Sequence, residues 1–106
     1  MIAQTIAQQI GRRALTMLGA HLLVDLGDGL QFRIDGSGKV NLVQVILDPC
    51  DTYTLRFWQV SSIQKELAPD LAVMMEDWAQ VSTISDVYWD MLHDVISEHT
   101  GIQVEL

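Results

Sequence analysis

The spacing of apolar residues changes period twice along this chain, and that change narrows the folds open to it. In residues 2–18, Ile2, Ile6, Ile10, Ala14, Met17 and Leu18 recur at helical steps. Gln4, Thr5, Gln8, Gln9, Arg12, Arg13 and Thr16 occupy the opposite face. Gly11 weakens the middle of this helix by about 1 kcal/mol relative to alanine, and Gly19 suits its end. The period then becomes 2. Leu22 to Leu26 is a short apolar strand, and Gly27-Asp28-Gly29 is a turn. Leu30, Phe32 and Ile34 alternate with Gln31 and Arg33, and Asp35 to Gly38 turns the chain again. Val40 to Leu47 places Val43, Val45 and Leu47 on one face, followed by the turn Asp48-Pro49-Cys50-Asp51. In Thr52 to Val60, Tyr53, Leu55 and Phe57 face one way, and Thr54, Arg56 and Trp58 the other.

The helical period returns at Ser85 to Gly101. Tyr88, Met91, Leu92, Val95, Ile96 and His99 form its apolar stripe, Ser85 or Asp86 caps its start, and Gly101 closes it. Between the two patterns the segment 61–79 is ambiguous. Ser61 to Glu66 is polar, Pro69 to Trp78 reads as a short helix or an ordered loop, and Gln80 to Ile84 is the candidate for a fifth strand.

Short links between consecutive strands make an antiparallel meander. The expected fold is a two-layer α+β domain spanning residues 1–106. Both helices cover one face of a four- or five-stranded sheet. The open face shows Gln31, Arg33, Gln44, Arg56 and Trp58, with Leu42, Ile46 and Val60 among them. Tyr53, Phe57, Phe32 and Tyr88 are assigned to the core, and Trp58 and Trp89 to its margin or the surface.

Charge is unevenly divided. Residues 1–65 hold six Lys and Arg against five Asp, a balance of +1, whereas residues 66–106 hold nine Asp and Glu with no Lys or Arg, a balance of −9. An acidic half repels nucleic acid and favours a basic protein surface. With no run of eighteen apolar residues there is no membrane span. The start of the chain lacks the basic and apolar regions of a secretory signal, and Cys50 is the single cysteine, so a reducing, cytoplasmic setting is expected.

Candidate chemical sites read more simply as structure. Asp90, His93 and Asp94 fall within one helical turn but lack the further ligands a metal needs, so they read as solvated surface. His99 reads as a half-buried, hydrogen-bonded residue near a helix end. Cys50 lies between Asp48 and Asp51, whose charges oppose thiolate formation. The glycine pairs join strands rather than opening a helix, so they are turns and not phosphate cradles. No constellation meets the geometric needs of catalysis, and no cofactor is implied. The expectation is a non-enzymatic protein.

Several segments carry a resemblance. They are Thr16-Met17-Leu18-Gly19-Ala20, Leu30 to Ile34, Val43 to Leu47 with Asp48-Pro49, Asp51-Thr52-Tyr53 through Phe57, Asp86-Val87-Tyr88, Asp90, Leu92, and Thr100-Gly101. Together they resemble a family of small proteins encoded by bacteriophages and other mobile elements, over roughly residues 11–60 and 81–106. Residues 61–80 depart from that pattern, being longer and more acidic, and His21 stands where a basic residue is expected. The resemblance implies an accessory role in a host cell and assigns no catalytic residues. Anti-CRISPR proteins are similar in size, genetic setting and acidity, though not in motif.

On the last helix, Asp86, Asp90, Asp94 and Glu98 are spaced four apart, which makes a slow spiral of negative charge. Each like-charge neighbour pair costs a few tenths of a kcal/mol. The expected partner-binding residues are these four with Glu76, Asp77, Trp89 and Trp58. The expected partner is a basic protein surface of a host complex, such as a nucleic-acid channel. The alternative is a structural or regulatory homo-oligomer, a homodimer through the open sheet face.

Overall fold

The computed structural model describes residues 2–34 and 39–102. It is an α+β fold with helices α1 (Ile2–Ile10), α2 (Arg12–Met17) and α3 (Leu92–Thr100) and strands β1 (His21–Asp25), β2 (Gly29–Arg33), β3 (Leu42–Leu47), β4 (Tyr53–Ala68) and β5 (Leu71–Val87). The strands form one antiparallel sheet in chain order, as a meander requires. The turn expected at residues 35–38 and the tail from residue 103 lie outside the described residues.

The first helix is two helices. Gly11 adopts φ 93 and ψ 145, which no helix contains and which a residue without Cβ reaches at little cost. The chain bends there, and α2 ends in a tight left-handed closure at Gly19. The Gly19 N–H donates to the Thr16 carbonyl (3.0 Å) and the Ala20 N–H to that of Leu15 (2.9 Å), as in a Schellman motif. The apolar stripe expected of the single helix survives the bend, because Ile6, Ile10, Ala14 and Leu18 are all buried.

Those residues pack on Leu30, Phe32, Val43, Val45, Leu55 and Phe57 of the sheet, with Leu92, Val95 and Ile96 of α3 completing one core. Both helical segments therefore cover the same sheet face. Fully burying a side chain such as Phe32 or Phe57 contributes about 1.5–3 kcal/mol. The alternation in β4 is borne out: Tyr53, Leu55 and Phe57 are buried, while Arg56 is exposed.

Two expectations are corrected. Residues 61–79 are neither helix nor loop. They form the far half of a hairpin whose strands run to 16 and 17 residues and turn at Pro69-Asp70. The last helix begins at Leu92, not Ser85. Residues up to Val87 remain in β5, because Val87 pairs with Tyr53 and is buried against it. A register shift opposite Thr54 gives Asp86 a positive φ of 59, a bulge rather than a helix cap. Tyr88 and Met91, assigned by spacing to the apolar stripe, are exposed, so Tyr88 lies outside the core.

α3 is tied in at both ends. His93 donates from Nε2 to the carbonyl of Ile10, the group that the bend at Gly11 turns out of α1. The His99 ring stacks on Phe57 with centroids 4.9 Å apart and lies 3.3 Å, Nδ1 to Oγ, from Ser82. Gly101 ends the helix, as its place in the sequence implied.

Candidate functional site

The hairpin outgrows the sheet. β3 stops pairing with β4 at Trp58. The Asn41 side chain then serves as one further rung, accepting from the Val60 N–H and donating to its carbonyl, both at 2.7 Å. Beyond Val60, β4 and β5 pair only with each other, and every residue from Ser61 to Val81 is exposed. The result is a molecule 52 Å long and 28 × 21 Å across.

This geometry divides the candidate acidic surface in two. Glu76 and Asp77 lie on the ribbon. Asp86, Trp89, Asp90, Asp94 and Glu98 lie at the opposite end of β5, where the strand passes through the 3₁₀ turn Trp89–Met91 into α3. About 30 Å of strand separates the two groups, from the rise per residue. The expected spiral of four carboxylates on one helix is also corrected. Asp94 and Glu98 are on α3, Asp90 is in the 3₁₀ turn, and Asp86 is in the bulge. They follow one another along the chain and are all exposed. Trp89 and Tyr88 stand out among them, 64% and 58% exposed. Asp94, in the first turn of α3, meets the favourable end of the helix dipole.

Glu76 differs from the rest. It forms an ion pair with Arg33 of β2, reached by the ribbon curling across the open sheet face. Asp77, Asp86, Asp90, Asp94 and Glu98 have no such partner among the described residues. Trp58 is half-buried on the open face, where it donates from Nε1 to Gln44 Oε1 (2.8 Å), and Gln44 in turn donates to Gln31 (2.9 Å). Trp78 packs edge-on against it with centroids 5.6 Å apart. Leu42 and Val60 are buried, so the apolar patch expected on the open face for a second copy is largely closed within the chain.

Spacing alone missed Trp78, which it left in a short helix or an ordered loop, and the Arg33–Glu76 contact, which joins residues 43 apart. The only sign of the latter in the sequence is that Arg33 alternates onto the open face.

No group of three or more His, Cys, Asp or Glu among the described residues is placed to hold a metal ion. The Asp90, His93 and Asp94 trio is split by the His93 bond to Ile10. Cys50 is exposed, its Sγ 3.1 Å from Thr52 Oγ1. Tyr53 titrates above its ordinary range. Burial raises it most, a hydrogen bond to Gln9 opposes, and the Asp51 charge adds to the rise. No helix among the described residues is long and apolar enough to cross a membrane. Comparison with protein-family models, curated proteins and solved structures finds no match to this chain.

Proposed function

We propose that this chain is a non-enzymatic binding protein of phage or mobile-element origin. Its acidic carboxyl-terminal half docks on a basic protein surface of a host complex, inside the host cell. An inhibitor of the anti-CRISPR type, occupying a nucleic-acid channel of a defence complex, is the specific form of this reading. One observation carries it: Asp86, Asp90, Asp94 and Glu98 are exposed, lack cationic partners among the described residues, and flank exposed Trp89 and Tyr88. Carboxylates substitute for phosphates in pairing with Lys and Arg. An indole or phenol face adds cation–π attraction worth about 0.5–1 kcal/mol at an exposed site. The phage origin rests on the sequence resemblance.

The test is capture from host lysate with mass spectrometry, comparing wild type with Asp90→Lys/Asp94→Lys, followed by affinity measurement at two salt concentrations. Association steered by charge weakens as salt rises. Unchanged partner binding by the charge-reversed variant ends the proposal. The second reading, a homo-oligomeric structural or regulatory protein, is favoured by a different observation: the apolar side chains exposed along the ribbon.

A further inference from the structure

The two faces of the ribbon are not alike. β4 alternates without interruption from Tyr53 to Glu66, so the face that carries Tyr53, Leu55 and Phe57 in the core continues outward as Ser61, Ile63 and Lys65. Their partners on β5 are Asp77, Met75 and Val73, and Leu71 lies beyond them near the turn. Within the sheet this face is covered by α3, whose His99 sits on Phe57, but α3 ends at Thr100. Past that point Ile63 is 46%, Val73 38%, Met75 44% and Leu71 57% exposed. The other face is already engaged at its base, by Trp58 against Trp78 and by Arg33 against Glu76.

A two-stranded ribbon is marginal in water unless one face is covered. The uncovered face also carries a charge pattern that selects its cover. Lys65 lies two residues beyond the Ile63–Met75 pair toward the tip, and Asp77 two residues from it toward the base. These two side chains are about 13 Å apart along the strands, too far to pair with each other. When two ribbons are laid face to face with their directions opposed, about a two-fold axis at Ile63–Met75, Lys65 of each lies beside Asp77 of the other. The same operation stacks Ile63 and Met75 of one copy over those of its mate and sets Val73 of each over Asp77 of the other. Laying the ribbons tip over tip sets like charge beside like.

We propose that this ribbon face is a self-association surface, occupied by a second copy in antiparallel, two-fold packing. The inference is independent of the acidic corner at Trp89 and deepens the second, homo-oligomeric reading above, on which it rests. The contact is confined to the few side chains around Ile63–Met75, well short of the roughly 20–30 residues a side of a standard interface, so the dimer is weak, with a dissociation constant on the order of 100 µM.

The experiment is sedimentation velocity on the full chain from about 10 µM to about 1 mM, a range that brackets this affinity. Wild type is compared with Lys65→Asp, Asp77→Lys and the double exchange. Each substituted residue is exposed, and circular dichroism and Tm verify that each variant is folded. Wild type is expected to pass from monomer to dimer. Each single reversal, which sets like charges together twice, weakens the dimer about fivefold or more, and the double exchange returns it to within about twofold of wild type. A wild-type chain that stays monomeric across the range overturns the proposal and leaves a different protein as the occupant. A dimer unaffected by the single reversals, or one that the double exchange fails to restore, overturns it equally.

Discussion

Gly29→Ala is the most demanding test of the sheet register. Gly29 opens β2 directly across from Ile46, in the rung where β2 begins to pair with β3. A Cβ at this position would lie 2.3 Å from the Val45 carbonyl oxygen, 2.7 Å from Ile46 Cδ1 and 3.0 Å from Ile46 Cα. The methyl end of Ile46 can rotate away. The Val45 carbonyl cannot, because β3 is bonded on one side to β2 and on the other to β4. The overlap with that oxygen is about 1 Å, well inside van der Waals contact. Relief requires moving a central strand, so the cost belongs near the upper end of overpacking, about 3 kcal/mol. That is a large part of the 5–15 kcal/mol typical of a domain, and it lowers Tm by roughly 12–24 °C. The control is Gly27→Ala, where a Cβ meets nothing within 4 Å but φ is +88. Strain alone costs about 1–2 kcal/mol there. Thermal and urea unfolding followed by circular dichroism measures both. Adding Ile46→Val to Gly29→Ala removes the 2.7 Å contact but not the 2.3 Å one, so recovery is partial. If Gly29→Ala proves milder than Gly27→Ala, Gly29 does not sit opposite Ile46 and the β2–β3 register is wrong.

Three further outcomes are expected. His93→Ala removes the donor to the Ile10 carbonyl at the Gly11 bend and lowers unfolding free energy by about 1 kcal/mol in urea titration. Tyr53 titrates above its unfolded value, so the folded state holds the proton longer than the unfolded chain does. The Tyr53 contribution to stability is therefore constant below about pH 10 and is lost as pH rises through the folded pKa, and Tyr53→Phe flattens this alkaline decline in a series of thermal melts. Asn41→Ala removes the rung at Val60, so amide exchange by NMR accelerates at Val60 and outward along the ribbon. Protection at Leu55 and Phe57 is unchanged, because β3 still pairs there.

The parts of the fold that were legible in the sequence have one face in the core and the other in solvent. Leu30 and Phe32, Val43 and Val45, and Tyr53, Leu55 and Phe57 alternate because burial selects every second residue. The ribbon lacks that signal. Both of its faces meet solvent, so Val73, Met74 and Met75 follow one another without penalty to a core, and Pro69 looks like a helix start when it is half of a two-residue turn. The start of the last helix misled for another reason. Tyr88 and Met91 hold helical spacing relative to Leu92, Val95 and Ile96, but pairing of Val87 with Tyr53 keeps the chain extended until the 3₁₀ turn. The bend at Gly11 was visible as a weak point, though not as a break, because its compensation by His93 comes from 83 residues away. Of the candidate site, the identity and exposure of the carboxylates were readable. Their division between the ribbon and the corner at Trp89 was not, since it depends on how long β5 runs.

No side chain between Ser61 and Val81 is buried in the core, and the core closes at Val60 with the Asn41 rung. Reach and foldedness are thereby uncoupled. Inserting or deleting one cross-strand pair near Pro69-Asp70 changes the span of the arm by about 3.3 Å, while the layer of Phe57, Leu55 and Ile96 is left as it was. Two pairs at a time also keep the same side chains facing the same way. Evolution can thus tune how far this molecule extends, and with which surface, much as one lengthens a handle without recutting the blade.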